Sequence, residues 1–197
     1  MQMKHLTLAA AAALGLMSGT ASASVIITVS QMGADVVASG TGTLDLTGLK
    51  DAGAFSLVPA IQGYFSYFGS GGSGDKVEGY TPIGGPDQIG PGTSVSSTSS
   101  TGDDFAFDIY YANVFVPVGY AGGLLTFSST FDGTTISGLG LTPGQYTFTL
   151  PSDTIVLNIG GMSTVPLPAS APMFGAGLIA LGAAGYAAKR KKATAAA

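Results

Sequence analysis

Between residues 24 and 168 apolar and polar positions alternate in short runs broken by Gly, Pro and Asp, and no stretch repeats with a helical period. Thr43-Leu44-Asp45-Leu46-Thr47 and Gln145-Tyr146-Thr147-Phe148-Thr149-Leu150 alternate residue by residue. That is the period of a strand with one buried and one wet face. Nine strands are expected: Val25–Ser30, Asp35–Ser39, Gly42–Leu46, Ala54–Leu57, Tyr64–Phe68, Phe105–Val116, Leu124–Phe131, Tyr146–Leu150 and Thr154–Ile159. Asp132-Gly133 and Pro143-Gly144 fall between such runs and supply turn geometry. The pattern predicts an all-β body of two packed antiparallel sheets, a β-sandwich of jelly-roll or immunoglobulin-like type.

One stretch interrupts the alternation. From Gly69 to Gly102, 24 of 34 residues are Gly, Ser, Thr or Pro, the composition of a long, flexible surface loop. Neither the 45 residues before it nor the 66 after it would make a robust core alone, so residues 24–164 are expected to form one domain.

Charge narrows the chemistry. Residues 24–168 carry eleven carboxylates against two cations, Lys50 and Lys76, a formal charge of −9. The only histidine is His5, the only arginine is Arg190, and there is no cysteine or tryptophan. This composition excludes a Ser-His-Asp or Cys-His nucleophile and the usual zinc sites from the body. It also argues against nucleic acid as a partner, because that affinity rests on cations meeting phosphate.

The two ends are built differently. Lys4 and His5 precede an apolar run of 12 residues, Leu6 to Met17, which is too short to span a bilayer. Ala21-Ser22-Ala23 follows as the small-x-small pattern of signal peptidase, so residues 1–23 read as a secretory signal peptide with Ser24 first after cleavage. At the other end Val165-Pro166-Leu167-Pro168-Ala169 leads into 16 uncharged residues, Met173 to Ala188, and then Lys189-Arg190-Lys191-Lys192. Counted from Met173 or from Ala169, a helix there would reach roughly 24–30 Å, enough to cross a membrane. The cations after it would stay on the cytoplasmic side and leave the body outside.

In this order, signal peptide, low-complexity body, proline motif, apolar helix and basic cluster resemble the PEP-CTERM family of exported bacterial proteins in its VPLPA variant. The resemblance implies that residues 165–197 are the sorting tail for an exosortase, an integral-membrane cysteine transpeptidase. Val165, Pro166, Leu167, Pro168 and Ala169 would be the recognition motif, residues 173–188 the membrane helix and Lys189 to Lys192 the stop signal. Leu167 stands where the commonest form of the motif has a glutamate, and Ala193 to Ala197 extend past the usual end. The family further implies a Gram-negative host that makes extracellular polysaccharide, transient anchoring in the inner membrane, and delivery to the cell surface or matrix.

The body offers little catalytic chemistry. Asp103, Asp104 and Asp108 could gather around calcium, an oxygen-seeking cation, or could simply form a solvated acidic strand entry. No other cofactor is indicated. Tyr64, Tyr67 and the Tyr110-Tyr111 pair could be platforms for sugar rings. Alternatively Phe65, Phe107 and Phe115 fill the core while the tyrosines lie at its edges. The expected protein is therefore a non-enzymatic, exported surface or matrix protein associated with exopolysaccharide or biofilm. A carbohydrate-binding module, supported by calcium, is the second reading, and a hydrolase built on two carboxylates is the third.

Overall fold

A computed structural model describes residues 24–160; the signal peptide, the proline motif, the expected membrane helix and the basic cluster lie outside the described residues. Ser24, the expected first residue after cleavage, opens β1 (Ser24–Met32), in which Val25, Ile27 and Val29 are buried and their neighbours are half-buried. The same alternation runs through β2 (Asp35–Gly42), β11 (Leu125–Phe131) and β13 (Thr154–Ile159). Each fully buried Val, Ile or Phe adds about 1.5–3 kcal/mol over an exposed one. The strands are therefore held in one register by the face that hides those side chains.

With β8 (Ser99–Gly102) and β12 (Gly144–Thr149), these strands make a six-stranded sheet ordered β12-β13-β1-β2-β11-β8. Its centre departs from the antiparallel expectation. β1 and β13 pair in parallel, Ser24 opposite Thr154 through Val29 opposite Ile159, so the first and last described strands are neighbours. A parallel pair needs a long crossover, and here nearly all of the described chain supplies it.

The second sheet is ordered β3-β6-β10-β9-β5-β4-β7. Its strands are β3 (Lys50–Ser56), β4 (Ala60–Gln62), β5 (Tyr67–Ser70), β6 (Lys76–Thr81), β7 (Val95–Ser96), β9 (Phe105–Asp108) and β10 (Asn113–Pro117). Its core face carries Phe68, Phe105, Phe107, Val114 and Val116, which pack in one cluster with Ile27, Phe127, Phe148 and Leu157 of the first sheet. Two sheets share one core, in a sandwich-like arrangement, and the described residues contain no helix.

The opposite face of the second sheet is also covered. Val77, Ala106 and Phe115 are buried there with Leu57, and Tyr67 packs against them. Glycines make the space. A Cβ on Gly79 would sit 2.6 Å from the Phe55 ring, and one on Gly69 would sit 2.6 Å from the Tyr67 hydroxyl. Phe55 meets Phe115 edge to face at 5.0 Å.

The stretch Gly69–Gly102 is not a flexible loop. It completes β5 and supplies β6, β7 and β8, and buries Val77, Ile83 and Ile89. Lys76-Val77-Glu78-Gly79-Tyr80-Thr81 does alternate, but the surrounding Gly and Ser obscure it in a composition count. Serine also serves the core: the hydroxyls of Ser70, Ser100 and Ser129 bond one another at 2.9–3.1 Å across the two sheets. That closed triangle satisfies polar groups that would be costly if left unpaired.

Three other expectations change. Phe105–Val116 is a hairpin rather than one strand, and Tyr64 to Ser66 form a turn before β5. Thr43 to Leu46 leave the sheet. There Leu44 is buried, its N–H donates to the Tyr120 hydroxyl at 2.8 Å, and the Asp45 N–H donates to the Asp153 carboxylate at 2.7 Å.

Candidate functional site

Two hairpin loops of the second sheet have the same construction. β4 and β5 are joined by Gly63-Tyr64-Phe65-Ser66, and β9 and β10 by Ile109-Tyr110-Tyr111-Ala112. In each, the N–H of the fourth residue points back to the carbonyl of the first, Ser66 to Gly63 at 3.5 Å and Ala112 to Ile109 at 3.1 Å. In each, the fourth residue is a non-glycine with positive φ, 46° at Ser66 and 54° at Ala112. That conformation costs an ordinary residue about 1–2 kcal/mol and persists only where the surroundings impose it.

The surroundings are the segment Pro82–Gly92. The Ser66 hydroxyl donates to the Pro86 carbonyl at 2.7 Å, and the Tyr64 N–H donates to Gly92 at 2.9 Å. The Ala112 carbonyl accepts both the Ile83 N–H at 3.0 Å and the Thr81 hydroxyl at 2.9 Å. On its other side the segment is fixed to the first sheet: Gly84 bridges Thr149, and the Thr142 N–H donates to Ile89 at 2.9 Å. Both loops are thus braced by one segment that is itself anchored.

Because β5 pairs with β9, the two hairpins lie side by side and their central residues meet. Tyr64 and Phe65 stand edge to face at 4.7 Å, Phe65 and Tyr110 at 4.9 Å, and Tyr110 and Tyr111 edge to face at 4.8 Å. These four rings are 39–68% exposed. Turn centres usually hold Gly, Asn, Asp or Pro, so the four aromatics in contact there are not residues that the turns themselves require. A groove of about 300 Å³ runs beside them, lined by Tyr64, Phe65, Ile109 and Tyr110 with the exposed side chains of Asp87 and Gln88.

No family model, curated protein or solved structure matches this chain. Its chemistry is read from the residues alone.

The residues singled out in sequence divide. Tyr64 is at the tip, but Tyr67 is not beside it. Tyr67 lies half-buried on the outer sheet face, with its hydroxyl donating to Val58 at 2.6 Å. Burial, and then the Asp108 charge, push that hydroxyl up to about 12. Phe107 fills the shared core and Phe115 the smaller outer cluster, whereas Phe65 is exposed at the tip rather than buried.

The three aspartates are not gathered. Asp103 accepts the Thr126 N–H at 2.7 Å, Asp104 the Gly72 N–H at 2.8 Å, and Asp108 the Tyr111 N–H at 3.3 Å. Each ties a different part of the chain, and among the described residues no three carboxylate or imidazole groups stand close enough to hold a metal. Asp103 and Asp104 lie between β8 and β9 and Asp108 at the far end of β9, and each carboxylate is spent on its own separate N–H donor. Asp108 instead caps the second hairpin loop, and burial raises its carboxyl above the ordinary range while the loop N–H groups oppose that. Composition missed Phe65, Asp87 and Gln88, whose role depends on which turns become neighbours.

Proposed function

We propose that this is an exported, non-enzymatic surface or matrix protein, sorted through its carboxyl-terminal tail by an exosortase. The observation that carries the reading is the order of the ends: an export signal stopping at Ala23, and a proline motif, apolar run and basic cluster from Val165 to Lys192. The body fits between them. Its first described strand begins at Ser24, its last described strand ends at Ile159, and five residues separate that end from Val165. Processing at both ends would leave every described strand intact. We read the architecture as a β-sandwich, jelly-roll-like or immunoglobulin-like in its layering, with the parallel β1–β13 pair as its own variation.

Signal peptidase and an exosortase are the processing partners in this reading, and the inner membrane is a temporary station before the cell surface. A body charge of −9 keeps such a protein soluble and apart from anionic neighbours. Hydrolase chemistry gains no support from the groove beside the rings, whose lining holds one carboxylate, Asp87, where glycosidic hydrolysis uses two. The exposed rings favour a second reading, a carbohydrate-binding body that holds matrix polysaccharide.

Two tail variants in the native host test the sorting. Pro166→Ala with Pro168→Ala should trap the protein in the membrane fraction, and removal of residues 189–192 should misroute it. Release of both variants to the surface at the wild-type level would refute the role given to the tail.

A further inference from the structure

We infer that the paired hairpin loops form a binding site for a single, uncharged polysaccharide chain, with Tyr64, Phe65, Tyr110 and Tyr111 as stacking surfaces and Asp87 and Gln88 as hydrogen-bonding groups. The inference rests on the carbohydrate-binding reading and supplies its site and ligand class. It is independent of the sorting tail.

The first argument is chemical. A pyranose presents C–H faces that pack on aromatic rings and hydroxyls at its rim that need polar partners. The tip supplies both, since the lining of one groove holds aromatic rings together with a carboxylate and an amide. Carboxylates accept two sugar hydroxyls at once, and an amide both donates and accepts.

The second argument is electrostatic. The body carries −9, its cations Lys50 and Lys76 lie on β3 and β6, and neither lines the groove. A polysaccharide with uronate, sulfate or phosphate groups would approach against that field and find no cation beside the rings. The same field disfavours anionic lipid. A neutral chain meets neither obstacle.

The third argument concerns shape. Two of the three ring pairs stand edge to face, with interplanar angles of 73° and 89°, and the middle pair is tilted by 54°. Such a surface is corrugated. It fits a single soluble chain that can turn its rings to follow the corrugation, and it cannot lie flat on the planar face of a crystalline polymer.

The last argument is preorganisation. Exposed aromatics on a mobile loop would lose binding energy to ordering. Here two left-handed residues and the Pro82–Gly92 brace fix the loops before any ligand arrives.

The test uses the full chain, held in non-ionic detergent, in native affinity gels cast with soluble galactomannan, soluble mixed-linkage glucan or alginate, and in pull-downs with crystalline cellulose. Retardation is expected in the galactomannan gel, the glucan gel or both, with none in alginate and no capture by cellulose. Tyr110→Ala and Tyr64→Ala should each weaken the retardation about tenfold, the upper end of what one aromatic contact supplies. Tyr67→Phe, away from the tip, should leave it unchanged. Because the substituted rings are exposed, thermal midpoints should stay at the wild-type value, which separates lost binding from lost folding.

Retardation by neutral glycans that survives Tyr64→Ala and Tyr110→Ala would overturn the site while sparing the carbohydrate-binding reading. Retardation only in alginate would overturn the ligand class. No retardation with any of the glycans would overturn both the site and the broader reading. Ring-dependent capture by phosphatidylcholine vesicles, or ring-dependent self-association, in place of glycan binding would assign the tip to a membrane or to a second copy and overturn the proposal.

Discussion

The two sheets solve the same packing problem differently. In the first, side chains alternate strictly, so that Val25, Ile27 and Val29 face the core while Ile26, Thr28 and Ser30 face outward and are half-buried. In the second, β9 buries Phe105, Ala106 and Phe107 in succession, and β10 buries Val114, Phe115 and Val116. A two-sided sheet needs a second cover, and Phe55 over Gly79 and Tyr67 over Gly69 provide one, with Leu57 in the same cluster. The second sheet also carries both ring-bearing hairpins. The difference teaches that the first sheet is a plain wall of the core, whereas the second is stiffened on both faces and can hold a strained tip.

The comparison breaks most visibly at the shared core. Phe127 of the first sheet stacks on Phe105 of the second at 4.7 Å and 7°, and also meets Phe68 at 5.9 Å. Phe127→Ala should cost about 3–5 kcal/mol in chemical denaturation, because it empties the space between the layers. A smaller contrast comes from two glycines. A methyl group at Gly40 would collide with the buried Phe127 ring, whereas at Gly79 its nearest neighbour would be Phe55, which is 37% exposed. Gly40→Ala should cost about 1–3 kcal/mol and Gly79→Ala less than ~1 kcal/mol. Equal losses would mean that the outer cover is as rigid as the core.

The two hairpin loops give the next contrast. Ser66 is held by its own side chain, so Ser66→Ala should lose about 1–2 kcal/mol by leaving the Pro86 carbonyl without its donor. Ala112 is held through its backbone carbonyl, which any residue retains, so Ala112→Gly should relieve the left-handed strain and gain about 0.5–1 kcal/mol. Thermal unfolding of both variants checks the pair of signs.

The smallest effect is a pH slope. Burial raises the carboxyl of Asp108 above its ordinary value of 3.8 in the folded chain. The folded state therefore holds that proton more tightly than the unfolded state does. Its contribution is fully present below pH 3.8 and is lost as pH rises through the raised value. Asp45 has the opposite sign: hydrogen bonds from Thr47 lower it, so its contribution is lost as pH falls. Asp108→Asn keeps an acceptor for the Tyr111 N–H and removes the charge. Denaturation midpoints measured from acid toward neutral pH should fall less steeply than in wild type.

Much of the first sheet was legible in the sequence. Thr154–Ile159 coincides with β13, and the expected strands at 25–30, 35–39 and 124–131 fall on β1, β2 and β11 within a few residues. One-sided burial writes itself as alternation. The second sheet was less legible for the same physical reason. Burial on both faces erases alternation in Phe105-Ala106-Phe107, and the turn Ile109–Ala112 contains neither Gly nor Pro to announce it. Serine and glycine in Gly69–Gly102 suggested a loop, although glycine there makes room for Phe55 and Tyr67 and serine closes a buried hydroxyl triangle. At the site, sequence pointed to aromatic runs but not to their partition. Tyr64 and Tyr67 are three residues apart, and a turn ending at Ser66 sends them to different places.

The most direct measurement is the intact mass of the protein recovered from the surface and medium of its native host. The account predicts a species that begins at Ser24, the first residue of β1, and ends between Val165 and Ala169, beyond the last described strand. A species running from Ser24 to Ala197 and confined to the inner membrane would contradict it.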